Sequence, residues 1–492
     1  MKTREEILQM VENEDVEFIR LQFTDMFGTL KNVAVTATQL QYMKDNRYLI
    51  DGSCMYGELR NGEEDMYLCP DLDTFVILPW RPQQGKVARL LCDVCRADGT
   101  PLAVSPREIL KKTMEKVEKE GYTFQIDPEC EFFLFHEDEN GVPTTVTHEK
   151  AGYMDISPLD LGENARRDMV MTLEDMGFEI ESSHHEKAPG QHEIDFRYAG
   201  AMETADRIVT FKTAVRSIAK RFGLYATFMP KPKAGTAGSG MHINISLFQN
   251  GKNIFSDPEA EDGLSQEAKW FMGGIMAHVK GMCAVTNPLV NSYKRLTSGC
   301  DAPRDIIWTT KNHNTLLRIP FMRGEDTRIE LRFPDPSANA YLTIALCMAA
   351  GLEGEAELHT VEVEDELEEL AQSFFDRSAH GSRIRLHIGS ALDIAPGLGG
   401  VFDLVFIDGD KREYPDYYRM LMGDDGGCPL VRSDSVLIAD NILWSGKVVQ
   451  PIAHNDRHTQ AVMEFNRMVR EDPRVENVIV PLRDGLNLIR IK

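Results

Sequence analysis

Two glutamates one residue apart, Glu129 and Glu131, stand immediately before the apolar run Phe132–Phe135. Along a β-strand, side chains two apart share a face. A strand here holds two carboxylates side by side with Cys130 behind them, and like charges that close repel unless cations lie between them. Taken alone, Glu-x-Glu is explained by a solvated strand face. Three further segments add weight. His184-His185-Glu186 leads through Pro189-Gly190 to His192-Glu193; Gly238-Ser239-Gly240 precedes Met241-His242; and Arg328, Glu330 and Arg332 alternate along one stretch. Carboxylates with one imidazole suit hard divalent cations such as Mg²⁺, and interleaved arginines suit phosphate held between metal and guanidinium. The Gly-Ser-Gly turn lets backbone approach a substrate without a Cβ in the way.

The formal net charge is −24, which disfavours nucleic-acid binding because an acidic surface repels phosphate. The start, Met1 to Asp15, is polar, without a basic-plus-apolar leader pattern. No stretch approaches the roughly 18 apolar residues that span a bilayer. Nine cysteines are scattered along the chain, so no disulfide framework is expected. Cys92 and Cys95 form a lone Cys-x-x-Cys without a second pair or nearby histidine, which argues against a zinc or redox role. These features together predict a cytoplasmic protein bound to neither nucleic acid nor membrane.

With 492 residues the chain has room for two or three domains. Strands are expected at Val16–Phe23, Phe75–Leu78 and Ala88–Asp93. A helix should start at Ser105-Pro106, with Ser105 as N-cap, and run through Glu120 to Gly121. Further helices are expected over Asn164–Met176 and Thr204–Arg221. The region from about 358 onwards changes character. Val401–Ile407 and Ser435–Ala439 read as apolar strands separated by helical sequence, the pattern of βαβ units.

The motifs DGS (51–53), PECEFFLF (128–135), SHHEKAPGQHEIDF (183–196), FMPKP (228–232), GSGMH (238–242), NSYKRL (291–296) and RIELRFPDPSAN (328–339) resemble glutamine synthetase of the bacterial type I class. The resemblance implies an α+β chain. It has a small β-grasp-like domain over 1–104, then a catalytic domain with a curved antiparallel sheet over 105–357. It further implies ATP-dependent ligation of ammonia to L-glutamate through γ-glutamyl phosphate, with two Mg²⁺ or Mn²⁺ ions per site. One ion would be held by Glu131, Glu186 and Glu193, the other by Glu129, His242 and Glu330. Arg295 and Arg332 would grip glutamate and its phosphate, with Gly238 and Tyr153 also at the substrate. Arg318 and Arg328 would neutralise phosphate charge, and Ser246 and Tyr198 would meet the nucleotide. Asp51 would act in the ammonium site of a neighbouring subunit, and Asp301 would take the ammonium proton. The implied assembly is a homo-oligomeric ring with sites between subunits.

At three positions the sequence departs from that family. Asp301 stands where a glutamate is common and is one methylene shorter. His313 replaces an arginine, and imidazole lacks a fixed cationic fork. Ala237 replaces an asparagine. Asp301 and His313 motivate the alternative of a related glutamate–amine ligase.

After Ala349-Ala350-Gly351 the glutamine synthetase pattern stops, and the family's helices that pack on the catalytic domain and link two rings are absent. The stretches TVEVEDELEEL (360–370), FDLVFIDGDKREY (402–414), VLIADNILWSGKV (436–448) and DPRVENVIVPLRDGLNLIRIK (472–492) instead resemble the caffeoyl-CoA type of O-methyltransferase. That resemblance implies a Rossmann-like α/β fragment over 358–492. In it Glu362 would hold the ribose of S-adenosylmethionine, and Asp408, Asp440 and Asn441 would bind a divalent metal. The first strand and glycine-rich loop that should precede Glu362 are missing. A fused fragment is therefore expected, without S-adenosylmethionine, and a non-catalytic chimera is the remaining alternative.

Overall fold

The structure, a computed structural model, describes residues 2–492 apart from 44–46, 56–63, 82–83, 148, 298–301, 312–313, 353–357, 379–380, 425, 434 and 481–482. The chain divides into two compact units, Met1–Glu353 and Gly354–Lys492.

The first unit opens with a five-stranded sheet in the order Leu30–Thr36, Val16–Thr24, Lys86–Cys95, Asp65–Ile77, Tyr48–Asp51. Val16–Thr24 runs parallel to Lys86–Cys95, with Leu21 opposite Leu90, while the other pairings are antiparallel. Ile19, Leu21, Ala88 and Leu90 are buried in one core with Ile7 and Val11 of the helix Arg4–Asn13. A reciprocal capping box between Thr3 and Glu6 closes the start of that helix. Leu30–Thr36 and Tyr48–Asp51 are strands beyond the three expected. Both lie at the edges of the sheet and are half in water, so their polarity is mixed and lacks a clean alternation.

A ten-stranded sheet follows. Its main path is Asp305–Thr309, Thr315–Arg318, Ile329–Leu331, Met241–Gln249, Tyr122–His136, Gln191–Phe196, Ile180–His185. All neighbours on this path are antiparallel except the first pair. One face is apolar: Cys130, Phe132, Leu134, Ile194, Ile243, Ile245 and Leu331 are almost wholly buried. They share a core with the helices Pro106–Lys119, Glu163–Asp175, Ala201–Arg221, Gln266–Thr286 and Ala340–Gly351. Each such Leu, Ile or Phe stabilises the fold by about 1.5–3 kcal/mol. The helices expected at 105–120, 164–176 and 204–221 are present. Ser105, however, makes no side-chain capping bond, so Pro106, with its fixed φ in the first turn, marks the start.

In the second unit, Leu404–Ile407 lies parallel to Val436–Ala439 with the helix Tyr414–Met422 between them in sequence, a βαβ crossover. Leu486–Ile491 and Val475–Val480 extend this sheet to four strands. Leu437, Ala439 and Ile489 are buried with Tyr414, Tyr418 and Phe465 of the helices Tyr414–Met422 and Arg457–Glu471. Leu404, Phe406 and Val478, which alternate away from that core, are exposed. Among the described residues Leu358–Glu362 pairs only with Ile384–Ile388, in a separate two-stranded sheet. Among the described residues no strand joins the two sheets. No helix among them is long and apolar enough to cross a membrane.

Candidate active site

Strand register explains how distant acids meet. In an antiparallel pair, directly opposed residues share a face. Glu129 lies opposite both His242 and Asp195, Glu131 opposite Glu193, and Glu193 opposite His184. On the other side Asn244 lies opposite Glu330, which lies opposite Arg318. The polar face of the ten-stranded sheet therefore carries a continuous band of acid, imidazole and guanidinium groups, backed by the apolar core.

His242 Nδ1 is 3.0 Å from Glu129 Oε2 and 3.7 Å from Glu330 Oε1, and Asn244 Nδ2 donates to Glu129 Oε1 at 2.9 Å. Glu330 is fully buried and accepts from Arg318 at 2.6 Å and from Arg332. Glu129, His242 and Glu330 bring one ligand atom each within 4.8 Å of one another. The second expected trio is spread differently. Glu193 groups with His184 and Asp195 at that spacing, and His184 stands 3.3 Å from Glu193 and 3.7 Å from Glu186. Glu131 turns to Gln191 Nε2 at 2.7 Å and the Gly240 N–H at 3.0 Å.

The electrostatics call for cations. Burial pushes Glu131 up to about 7, and burial with the neighbouring Glu131 pushes Glu186 up to about 8. Burial, then Asp195 and Glu131, lifts Glu193 well above the usual carboxylate range. Burial opposes the charge of Glu129 too, but hydrogen bonds from His242 and Asn244 bring it down to about 2. The acceptor atoms Asp127 Oδ1, Asp195 Oδ1 and Asn244 Oδ1 are buried and meet no donor among the described residues. Crowded carboxylates with unmatched oxygens, beside the imidazoles of His242 and His184, fit hard divalent cations.

The remaining expected residues fall around this band. Arg328 is paired with Asp127 at 3.0 Å. Arg295, fully buried, donates to the carbonyls of Arg332, Phe333 and Pro334. Gly238 is packed so closely that an added Cβ would stand 2.3 Å from the Pro230 carbonyl oxygen. Its own carbonyl accepts from Gln191. Tyr153 is half exposed with its ring edge against His184, at 5.6 Å between centroids. Ser246 donates to the Thr327 carbonyl, and Tyr198 is exposed just before Gly200. Gln125 of the central strand pairs with Ser246 on one side and Gly200 on the other. Asp51 is exposed and accepts from the Ser53 N–H; no hydrogen bond or ion pair joins it to the acid band among the described residues. Asp301 and His313 lie outside the described residues.

In the second unit, Asp408 accepts from Lys411 at 3.0 Å, and Asp440 accepts from the N–H of Asn441 at 2.6 Å. Glu362 accepts from the Glu364 N–H in the separate strand pair. No metal-sized group of donors forms there among the described residues.

Asp127, Gln191, Asp195 and Asn244 are additional members of the site. Each lies two residues from an expected ligand on the same strand, so strand alternation alone could have flagged them.

Comparison with known proteins agrees with this geometry. The family model "Glutamine synthetase, beta-Grasp domain" matches residues 15–97 and "Glutamine synthetase, catalytic domain" matches 103–376. The model "O-methyltransferase" matches 341–492. The glutamine synthetase of Clostridium saccharobutylicum is 58% identical over 352 residues, covering 72% of this chain and 80% of the relative. That of Staphylococcus aureus is 53% identical over 353 residues, covering 72% and 79%. Among solved structures, GmaS in a complex with ADP superposes with a TM-score of 0.64 at 34% identity, covering 70% of this chain and 80% of that one. Plasmodium falciparum glutamine synthetase superposes with a TM-score of 0.66 at 26% identity, covering 74% and 78%. The chain belongs to the glutamine synthetase family, with a partial O-methyltransferase-like segment at its C-terminal end.

Proposed function

We propose that the chain ligates ammonia to the side-chain carboxylate of glutamate, driven by ATP through γ-glutamyl phosphate, to give glutamine. The observation that carries this reading is the shared sheet face, where Glu129, Glu131, Glu193, His242 and Glu330 stand beside Arg318. A glutamate carboxylate is a poor electrophile because its charge repels nucleophiles. Conversion to an acyl phosphate removes that obstacle, and the chain's task is to hold and neutralise the phosphoryl group during transfer.

Two divalent ions, Mg²⁺ or Mn²⁺, would be held by Glu129, His242 and Glu330 and by Glu131, Glu186 and Glu193, with His184 and Asp195 bordering the second set. Bound there, they would offset phosphate charge and orient the transferring group. Arg318, Arg328 and Arg332 supply the fixed positive charge around the phosphate. Arg295 braces the Arg332–Pro334 backbone through its carbonyl contacts and faces glutamate with Gly238. Ser246 and Tyr198, toward one end of the central strand, are proposed for the nucleotide. Asp51, exposed in the single chain, is proposed to reach the site of a neighbouring subunit near Tyr153 in a homo-oligomeric ring. Asp301 is proposed to accept the ammonium proton. The cytoplasm is the proposed compartment.

Glu362, Asp408, Asp440 and Asn441 are not proposed as a methyl-transfer site. Lys411 already pairs with Asp408, and Glu362 belongs to a strand pair separate from the sheet that bears Asp408 and Asp440.

The test is phosphate release with glutamate, ATP, Mg²⁺ and ammonia, each omitted in turn, with Glu330→Ala as control. Turnover with small amines but not ammonia would shift the reading to a glutamate–amine ligase. Folded protein with no glutamate-dependent release would leave a non-catalytic chimera.

A further inference from the structure

Just outside the acid band, Glu149, His185 and His192 form a second buried group whose donor atoms lie within 4.8 Å of one another. Each is already engaged. Arg166 stands 2.9 Å from His192 Nδ1 and is itself paired with Asp160, so a guanidinium cation faces that ring. His185 Nε2 is 3.0 Å from Glu149 Oε1, and His185 Nδ1 is 2.6 Å from the Glu186 carbonyl oxygen. Both His185 nitrogens face oxygen, so both donate and neither offers a lone pair to a metal. A cluster built this way holds protein rather than an ion.

What it holds is specific. Besides His185, Glu149 accepts from the backbone N–H of Gly190 and of Ala151. Gly190 ends the turn that follows Glu186. It has φ +74°, and an added Cβ would stand 2.8 Å from the Leu134 carbonyl oxygen, so only glycine fits this close approach. Ala151 begins the segment leading to Tyr153, and the Met154 N–H donates to the His185 carbonyl at 2.9 Å. One carboxylate thus ties both ends of the Glu186 turn to the Tyr153 segment.

We propose that Glu149 and His185 are positioning residues. Through the Glu186 carbonyl and the Gly190 N–H they aim the Glu186 carboxylate into the site and fix the Tyr153 segment against it. The proposal rests on Glu186 being a ligand in the ligase reading. Glu149→Gln keeps the shape but turns one of the two oxygens into an amide N–H₂, so a donor faces either the Ala151 N–H or the shared site of His185 and the Gly190 N–H. His185→Asn keeps a donor near the Glu186 carbonyl and loses the link to Glu149 together with the ring contact to His192.

The experiment is Mn²⁺ titration of the full-length protein, following free Mn²⁺ by electron paramagnetic resonance, with metal-free melting curves beside it. In both variants we expect one Mn²⁺ site to weaken by about 10–100-fold, the range for removing a group that orients a ligand. The other site, around Glu129, His242 and Glu330, should stay within about twofold. Equal weakening of both sites, or of neither, in folded variants overturns the positioning role while leaving the ligase reading intact. A native protein that binds no Mn²⁺ and releases no phosphate overturns both. If Glu149→Gln does not fold, His185→Asn carries the same comparison.

Discussion

Arg318 and Glu330 stand opposite each other on neighbouring antiparallel strands, and the guanidinium donates to the fully buried carboxylate at 2.6 Å. Arg332 donates to the other carboxylate oxygen. In Glu330→Gln two guanidinium groups face each other without their shared counter-charge. Breaking a buried pair by removing one partner costs about 3–5 kcal/mol. Glu330→Gln should therefore melt several degrees lower and also lose phosphate release by at least about a hundredfold. Circular-dichroism melts and the release assay together check this, and a variant as stable as the parent would contradict the geometry.

The raised acids predict how metal-free stability depends on pH. Glu131 and Glu186 sit at about 7 and about 8, against an ordinary 4.5. The fold keeps these protons while the unfolded chain releases them. Their contribution is full below pH 4.5 and is lost as pH rises through about 7 and then about 8. Metal-free protein should accordingly lose melting temperature progressively as pH rises from about 4.5 to about 8, and saturating Mg²⁺ should flatten that slope by replacing protons. Calorimetric titration of Mn²⁺ in buffers of different ionisation enthalpy should register proton release. Melting that improves with pH in chelator would count against it.

Gly238 separates substrate loss from unfolding. A Cβ there meets the Pro230 carbonyl oxygen at 2.3 Å, so Gly238→Ala must shift backbone whose carbonyl accepts from Gln191. Overpacking of this kind costs about 1–3 kcal/mol. We expect a folded enzyme whose KM for glutamate rises at least tenfold while KM for ATP changes little. Initial-rate kinetics varying each substrate measure the split.

Arg107 should matter to stability alone. Its guanidinium, almost wholly buried at the start of Pro106–Lys119, pairs with Asp71 and Asp93 of the N-terminal sheet and with Asp206 of Ala201–Arg221. Arg107→Met leaves three acids without their common cation, a loss of about 3–5 kcal/mol by the same buried-pair reasoning. Denaturant unfolding should show a lower midpoint, with KM values near the parent for the fraction that remains folded.

Much of the site was legible along the chain because strands have a period of two. Glu129 with Glu131, and Arg328 with Glu330 and Arg332, could be placed on common faces before any coordinates. Extending that count by one step reaches Asp127, Asp195 and Asn244. Glu149 gave no such signal, since it stands in a loop and its function comes from the N–H groups of Gly190 and Ala151. The edge strands Leu30–Thr36 and Tyr48–Asp51 were hidden for a related reason: half-wet positions accept either polarity.

The sequence by itself determined which residue types alternate on each strand and the motifs of the ligase family. Only the tertiary structure decided which strand lies beside which. That register sets Arg318 opposite Glu330 and Glu131 opposite Glu193, and within it side chains reach across to join Arg328 to Asp127 over 201 residues of chain and Gln191 to Glu131. Local periodicity fixes a face. Partners on that face are chosen by long-range pairing, where burial of the apolar side against the helices selects one register and charge settles the contacts within it.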